Sequence, residues 1–539
     1  MAATGANVAA GPLSPARVEA WAATVRRARL DWFWLATGGL GLVVPLTRAP
    51  FMTRTLYAFD SANYALAVRD FYNVAFHQPH PPGYPLYVVV ARGINLFVND
   101  ANRALIAEGI AWSVLAVLCT AALGKALFGR AVGLLAAALL VFTVGFWGYG
   151  EVAYPYVALA GETVVLAWLA FGTLQGDRRR VLWLGLAWGI SAGVRWDAAV
   201  FCVPLYVWAL WSVPWRARLG SLTLAVGVVV AWAVPMILFS GGWAGYRQAL
   251  ASYLQVWSAQ SAYVVGDFAS GGDTQASYNI NFLVNYLRQM LGVGLVLVLY
   301  LFGRMFGPAR VAADQRSRFL LLWTVPPLLV YVFTHLGEPG YVLSLAPQAA
   351  MLVALACLDL GYDVQRAVDI LRARGWRWWP RMRSGERVAL TRARHVTVGL
   401  LVLTIIGWNV QAFLRGVGPG RLPDLRAHDA TTAAQVQFLR QQPSGTTLVL
   451  AHDILRQLAF YLPGAQVELL YSEYVPNFQN VRTRTELPAG TEQVVILDPP
   501  GEASHARELV VAEGVRVWIL DVHGARAVEH GYRFVQALN

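Results

Sequence analysis

Five separated stretches of the 539-residue chain gather the side chains that can move protons or steady a negative charge. The first is Tyr57-Ala-Phe-Asp60-Ser61-Ala-Asn63-Tyr64, and the second is His77-Gln-Pro-His80-Pro-Pro-Gly83-Tyr84-Pro85-Leu-Tyr87. The others are Gly150-Glu151-Val-Ala-Tyr154-Pro-Tyr156, Arg195-Trp-Asp197 and Thr334-His335-Leu-Gly-Glu338-Pro-Gly-Tyr341. A half-buried carboxylate such as Asp60 or Glu151 has its pKa raised toward neutrality and can act as a general base. The planar, always charged fork of Arg195 suits an oxyanion, and His80 or His335 can donate a hydrogen bond or a proton. Each residue also has a plainer use. Asp60 can cap a helix, His80 can hydrogen-bond its turn, and Glu151 can be the solvated end of a span. Arg195 can snorkel to lipid phosphate, Asp197 can pair with Arg195, and His335 and Tyr341 can anchor a membrane interface. The case for a common role is that all five stretches fall on one side of the topology that the rest of the sequence dictates.

That topology follows from composition. Hydrophobic residues make up 57% and charged residues 14%, with a mean hydropathy of +0.47. A soluble domain carries about 25% charged residues. Disorder, a fibrous repeat and a disulfide scaffold are excluded, and a polytopic α-helical membrane protein remains. Cys119, Cys202 and Cys357 each sit in an apolar run, so neither a disulfide framework nor a metal cluster is indicated. The 21 Trp and 22 Tyr suit lipid–water interfaces. A span needs about 20 apolar residues. Eleven runs qualify, at about 30–48, 103–124, 131–149, 157–175, 181–195, 197–213, 219–239, 281–302, 318–335, 341–361 and 395–415. The long run 181–213 is divided at Arg195-Trp-Asp197 because two charges at mid-bilayer are costly. The run 85–98 is short, holds Arg92 and Gly93, and reads as a juxtamembrane or re-entrant segment.

Basic residues orient these spans. The loops 1–29, 125–130, 176–180, 214–218, 303–317 and 362–394 hold 23 Arg and Lys, against four in the alternate loops. The N-terminal segment 1–29 is therefore expected in the cytoplasm, with no cleaved leader, and the outer loop 49–102 and the C-terminus outside. The net charge of +12 fits basic inner loops facing anionic lipid and does not call for nucleic acid. Residues 420–539 differ in kind. Strands at about 447–451, 467–471, 494–498 and 515–521 alternate with helices at 433–441 and 505–513, the pattern of a small extracytoplasmic α/β domain.

The string His80-Pro-Pro-Gly-Tyr-Pro-Leu-Tyr87 is similar to the first-loop signature of the protein O-mannosyltransferase-like branch of the GT-C superfamily. These are polyprenyl-phosphate-dependent glycosyltransferases. Glu151-Val-x-Tyr154, Gly193-Val-Arg195-x-Asp197 and Gly340-Tyr341 also resemble that branch, and the likeness covers residues 30–415. It implies about eleven spans in a prokaryotic cell membrane, a polyprenyl-phosphate monosaccharide as donor, and Asp60 as the catalytic first-loop acid. Many relatives carry two adjacent acids there, whereas Ser61 follows Asp60 here, which leaves the second role to Glu151 or to no residue.

On that reading a sugar passes from the lipid phosphate to an acceptor hydroxyl on a protein or glycan, with inversion and with Asp60 as base. Arg195, His80 and His335 bind the donor phosphate. Tyr64, Tyr84, Tyr154, Asp197 and Tyr341 line the sugar and acceptor. No cofactor is expected, and a lone Asp/Glu pair is a poor Mg²⁺ cage, so neither is a metal. The rivals are a transporter or lipid-linked-sugar flippase and an assembly scaffold with an outer binding domain. A transporter places its charges near the midplane, often on repeated and interrupted helices. The polar residues here gather at one boundary and no internal repeat is evident.

Overall fold

The computed structural model describes residues 31–266, 275–305, 314–334, 336–373, 386–451, 454–470, 481–484, 489–497, 507–521 and 534–537. The segment 1–29, His335 and part of the basic loop 362–394 lie outside the described residues. The apolar runs become helices, each starting and stopping where the sequence changes character. Helix α1 (Trp32–Arg48) begins at Asp31, whose carboxylate accepts from the Phe33 amide. A short helix follows, α2 (Phe59–Arg69), and then α3 (Pro85–Val98). At 1.5 Å per residue the 14 residues of α3 reach about 21 Å, short of a roughly 30 Å hydrocarbon core.

Helix α4 (Ala101–Phe128) is the long central element, capped by Asp100 and packed against α1, α3, α5 (Arg130–Val141) and α7 (Tyr156–Leu174). Three of the expected spans are interrupted. The run 131–149 is α5 followed by the five-residue α6 (Val144–Gly148). After α8 (Arg180–Val194), the run 197–213 divides at Cys202 into α9 (Trp196–Phe201) and α10 (Val203–Trp211). After α11 (Trp215–Phe239) and α12 (Gly242–Gly266), the run 281–302 breaks at Gly292–Val293 between α13 (Gln275–Leu291) and α14 (Gly294–Met305). The bundle closes with α15 (Gln315–Phe333), α16 (Ala346–Ala373) and α17 (Glu386–Arg415). Five of the described spans are long and apolar enough to cross a bilayer by length and composition alone. The main core, with Phe33, Phe171, Phe319 and Trp323, lies between these helices.

The C-terminal domain starts with α18 (Leu422–Arg440) and carries a mixed sheet. Its strands are β1 (Thr447–Ala451), β2 (Gln466–Leu470), β3 (Val481–Arg484), β4 (Gln493–Ile496), β5 (Arg507–Ala512), β6 (Val515–Asp521) and β7 (Phe534–Ala537). The order is β3-β7-β2-β1-β4-β6-β5, with β1 parallel to both β2 and β4. The helix expected at 505–513 is instead β5. Its Val510 and Val511 favour an extended chain, and Gly514 supplies a left-handed turn (φ +73°) that folds β5 antiparallel onto β6. A short helix α19 (Leu455–Tyr461) follows β1. The domain is docked on the loop 49–102. Asp429 of α18 accepts from the Arg54 and Thr55 amides and from the Thr55 hydroxyl, and Tyr57 donates to Asp424.

Candidate active site

Asp60 sits in the first turn of α2, half-buried, with its carboxylate turned to a wall of histidine and tyrosine. His80 Nδ1 lies 3.3 Å from one carboxylate oxygen. Tyr154 and Asn63 reach the two oxygens by long hydrogen bonds of 3.5 Å each. The turn 77–84 aims His80. Gly83 has φ +124°, and a Cβ there would press on Tyr72, Met236 and Val74 within 3 Å, so the backbone passes where no side chain fits. Tyr72 donates to the Gly83 carbonyl at 2.7 Å and fixes the bend. Tyr64, Tyr84 and His80 then form one ring cluster, with centroids 5.0 to 5.6 Å apart. Burial holds His80 below the usual imidazole range, against the opposing pull of Asp60. A neutral ring beside Asp60 can accept or donate a hydrogen bond.

Arg195 breaks the chain between α8 and α9 in an extended conformation, and is buried rather than snorkelling. Its Nε donates to both Asp197 oxygens at 3.1 and 3.0 Å. The guanidinium lies over Tyr156 (4.4 Å) and Tyr341 (5.1 Å), and Tyr156 in turn stacks on Tyr154 at 4.7 Å. Arg195 and Asp197 are thus joined through aromatic faces to the Asp60 cluster.

Glu151 is placed differently. Its Oε1 accepts from Trp147 Nε1 at 2.7 Å, and its carbonyl accepts from Thr53 at the base of the loop 49–102. Burial pushes its acid up to about 9, against the nearby Arg48 charge, so at neutral pH it is protonated. Among the described contacts it shares no hydrogen bond or ion pair with Asp60. The second acid in electrostatic reach of Asp60 is Glu338. It is accessible to solvent but set in a recess of protein, and burial and Asp60 together push it up to about 7. Glu338 is a site acid that the sequence does not single out. Its signal was its place in the same string as Tyr341, just before the Pro339-Gly340 turn. His335 lies outside the described residues.

Beside this cluster opens an apolar cavity of about 460 Å³, walled by Tyr84, Trp196, Trp232, Met236, Tyr246 and Tyr253. Tyr84 and Tyr253 are shared: each faces His80, at 5.0 and 6.1 Å between ring centroids. Tyr253 and the whole of α12 were missed in the sequence, because α12 is too mixed in polarity to read as a span. Among the described residues no group of three or more His, Cys, Asp or Glu could hold a metal ion.

Residues 79–240 match the family model of dolichyl-phosphate-mannose-protein mannosyltransferases, a segment that opens at the His80-Pro-Pro-Gly string itself. The chain has the fold of ArnT from Cupriavidus metallidurans. The structure of ArnT bound to undecaprenyl phosphate aligns over 92% of this chain and 99% of that one, with 15% identity and a TM-score of 0.56. The apo structure aligns over 93% and 99%, with 15% identity and a TM-score of 0.53. No curated protein matches the chain by sequence.

Proposed function

We propose, from a chain that carries a mannosyltransferase-family segment on the fold of ArnT, that it is an integral-membrane glycosyltransferase. It moves a monosaccharide from a polyprenyl phosphate to an acceptor hydroxyl on the outer face. The observation that carries this reading is the sharing of Tyr84 and Tyr253 between the apolar cavity and the His80–Asp60 cluster. An isoprenoid chain needs an apolar groove, its phosphate needs donors at the groove's polar end, and the acceptor needs a base beyond them.

The acceptor hydroxyl gives its proton to Asp60 as its oxygen bonds to the anomeric carbon. The bond from that carbon to the phosphate oxygen breaks in the same step, so the configuration inverts. A phosphodiester leaves as a phosphomonoester and gains negative charge. Arg195, His80 and His335 are the donors for that charge, and such a donor contributes about 3–4 kcal/mol in well-studied sites. Tyr64, Tyr84, Tyr154, Asp197 and Tyr341 line the sugar and acceptor side, and Glu338 supplies a second carboxyl there. Glu151 holds the base of the outer loop. No metal has a part, and transfer is expected to persist in excess chelator.

The test uses purified protein with a panel of radiolabelled polyprenyl-phosphate sugars and extracted envelope acceptors. Wild type is expected to form a glycosidic product, and Asp60→Asn to lose roughly 10²–10⁴-fold in rate while still eluting as a folded species. Lipid-linked sugar crossing a vesicle membrane without any glycosidic product would overturn the reading in favour of a flippase.

A further inference from the structure

The C-terminal domain reaches into the Asp60 cluster with one buried cation. Arg456, the second residue of α19, is 9% exposed. Its Nε donates to Asn63 Oδ1 at 2.6 Å, and its Nη2 donates to the carbonyls of Phe76 and His77, both at 3.2 Å. Asn63 is fully buried, one helical turn beyond Asp60. A guanidinium has donors only. It therefore fixes the Asn63 amide with its oxygen toward Arg456 and its NH₂ toward Asp60, which that NH₂ reaches at 3.5 Å. The opposite flip would set two donors against each other and leave Asp60 facing a carbonyl oxygen. The carbonyls held by Nη2 lie three and four residues before His80, whose Nδ1 lies 3.3 Å from the same Asp60 oxygen that Asn63 reaches. One side chain thus ties together the helix that carries the acid and the turn that carries the imidazole. Burial lowers Arg456 to about 10, which leaves it charged at neutral pH.

We infer that Arg456 is a positioning residue for Asp60, acting through the polarity of the Asn63 amide, so that the docked C-terminal domain completes the active site. This rests on the function proposed above. The domain is then a working part of the transferase, and any event that lifts α19 from the outer loop switches the site off without touching the donor groove.

The test compares Arg456→Ala, Arg456→Lys, Asn63→Ala and the Arg456→Ala/Asn63→Ala pair in the full-length protein, in sugar transfer and in hydrogen–deuterium exchange. A misplaced base costs up to about 100-fold in rate. The expected result for Arg456→Ala is a fall in kcat of about 10- to 100-fold with donor KM held within about twofold. Lys restores part of kcat because it can donate to Asn63 but cannot also hold both carbonyls. The double variant is expected to be no slower than the slower single one. Exchange is expected to rise in residues 59–84 and to stay unchanged in the spans. Unchanged kcat with a folded protein, multiplicative effects of the two substitutions, or exchange rising throughout the chain would each overturn the proposal. A wild type that transfers no sugar refutes the parent reading instead, and the exchange pattern then decides alone whether Arg456 holds this loop.

Discussion

Asp60 and Glu338 are two acids in one recess, and their proximity has a consequence that stability measurements can read. The folded protein holds the Glu338 proton more tightly than the unfolded chain does, because burial and Asp60 raise it from 4.5 to about 7. Its contribution to stability is therefore fully present below about pH 4.5 and is lost as pH rises through about 7. Thermal unfolding in detergent is expected to show Tm falling across that window, with Glu338→Gln flattening the fall. An unchanged slope in Glu338→Gln would show that Glu338 titrates elsewhere. Glu151 gives a second prediction. It is already neutral at pH 7, so Glu151→Gln keeps the Trp147 hydrogen bond and leaves Tm within a degree or two. Glu151→Ala removes the shorter of the two hydrogen bonds Trp147 Nε1 donates, leaving it the Thr47 carbonyl at 3.2 Å, and costs about 1 kcal/mol. At this scale the sequence told which strings mattered better than which residue in each string faces the recess. In 150–156 it is Tyr154 that turns inward and Glu151 that turns under, and in 334–341 Glu338 joins Tyr341. String membership is local, whereas direction depends on the backbone at Gly150 and at Pro339-Gly340, which partners far along the chain decide.

The elements most legible beforehand were those whose reason is local. Arg195-Trp-Asp197 divides α8 from α9 because a charged pair in an apolar run must find its own partners, and it does so within two residues. The break at Cys202 has a local mark as well, Pro204 in the first turn of α10, whereas the one at Phe142–Thr143 has none. Residues 505–513 show the same limit. A charged, Val-rich stretch suits helix or strand until Gly514 and the neighbouring β6 are known, and pairing with β6 settled it. The turn 77–84 was legible as a turn but not as the device that aims His80. Gly83→Ala tests that function, since a Cβ would collide with three side chains at a positive φ. It is expected to cost about 1–2 kcal/mol, the penalty of a left-handed non-glycine residue, and to slow transfer further than its effect on Tm explains. Equal losses in a helix-surface control such as Gly227→Ala would remove the turn's special place.

The whole molecule is a helical membrane body with a hydrophobic core, an apolar cavity beside the Asp60 cluster, and a sheet domain held on the loop 49–102 by Asp429, Asp424 and Arg456. Membrane character was plain from composition, and the C-terminal sheet from its strand pattern. Their joint was not, because the contacts lie some 370 to 390 residues apart in the chain and none has a sequence signature. The arrangement suits the transferase proposed above, in which the groove would take the lipid chain and the docked loop the reacting end. The most direct test is a cryo-EM map of the full-length protein in nanodiscs with a polyprenyl phosphate. The account predicts an isoprenoid tail between Trp232 and Tyr253, with its phosphate between Arg195 and His80 and open space beyond it toward Asp60. A phosphate bound on the opposite face, with the Tyr84–Tyr253 cavity filled only by bulk lipid, would contradict it.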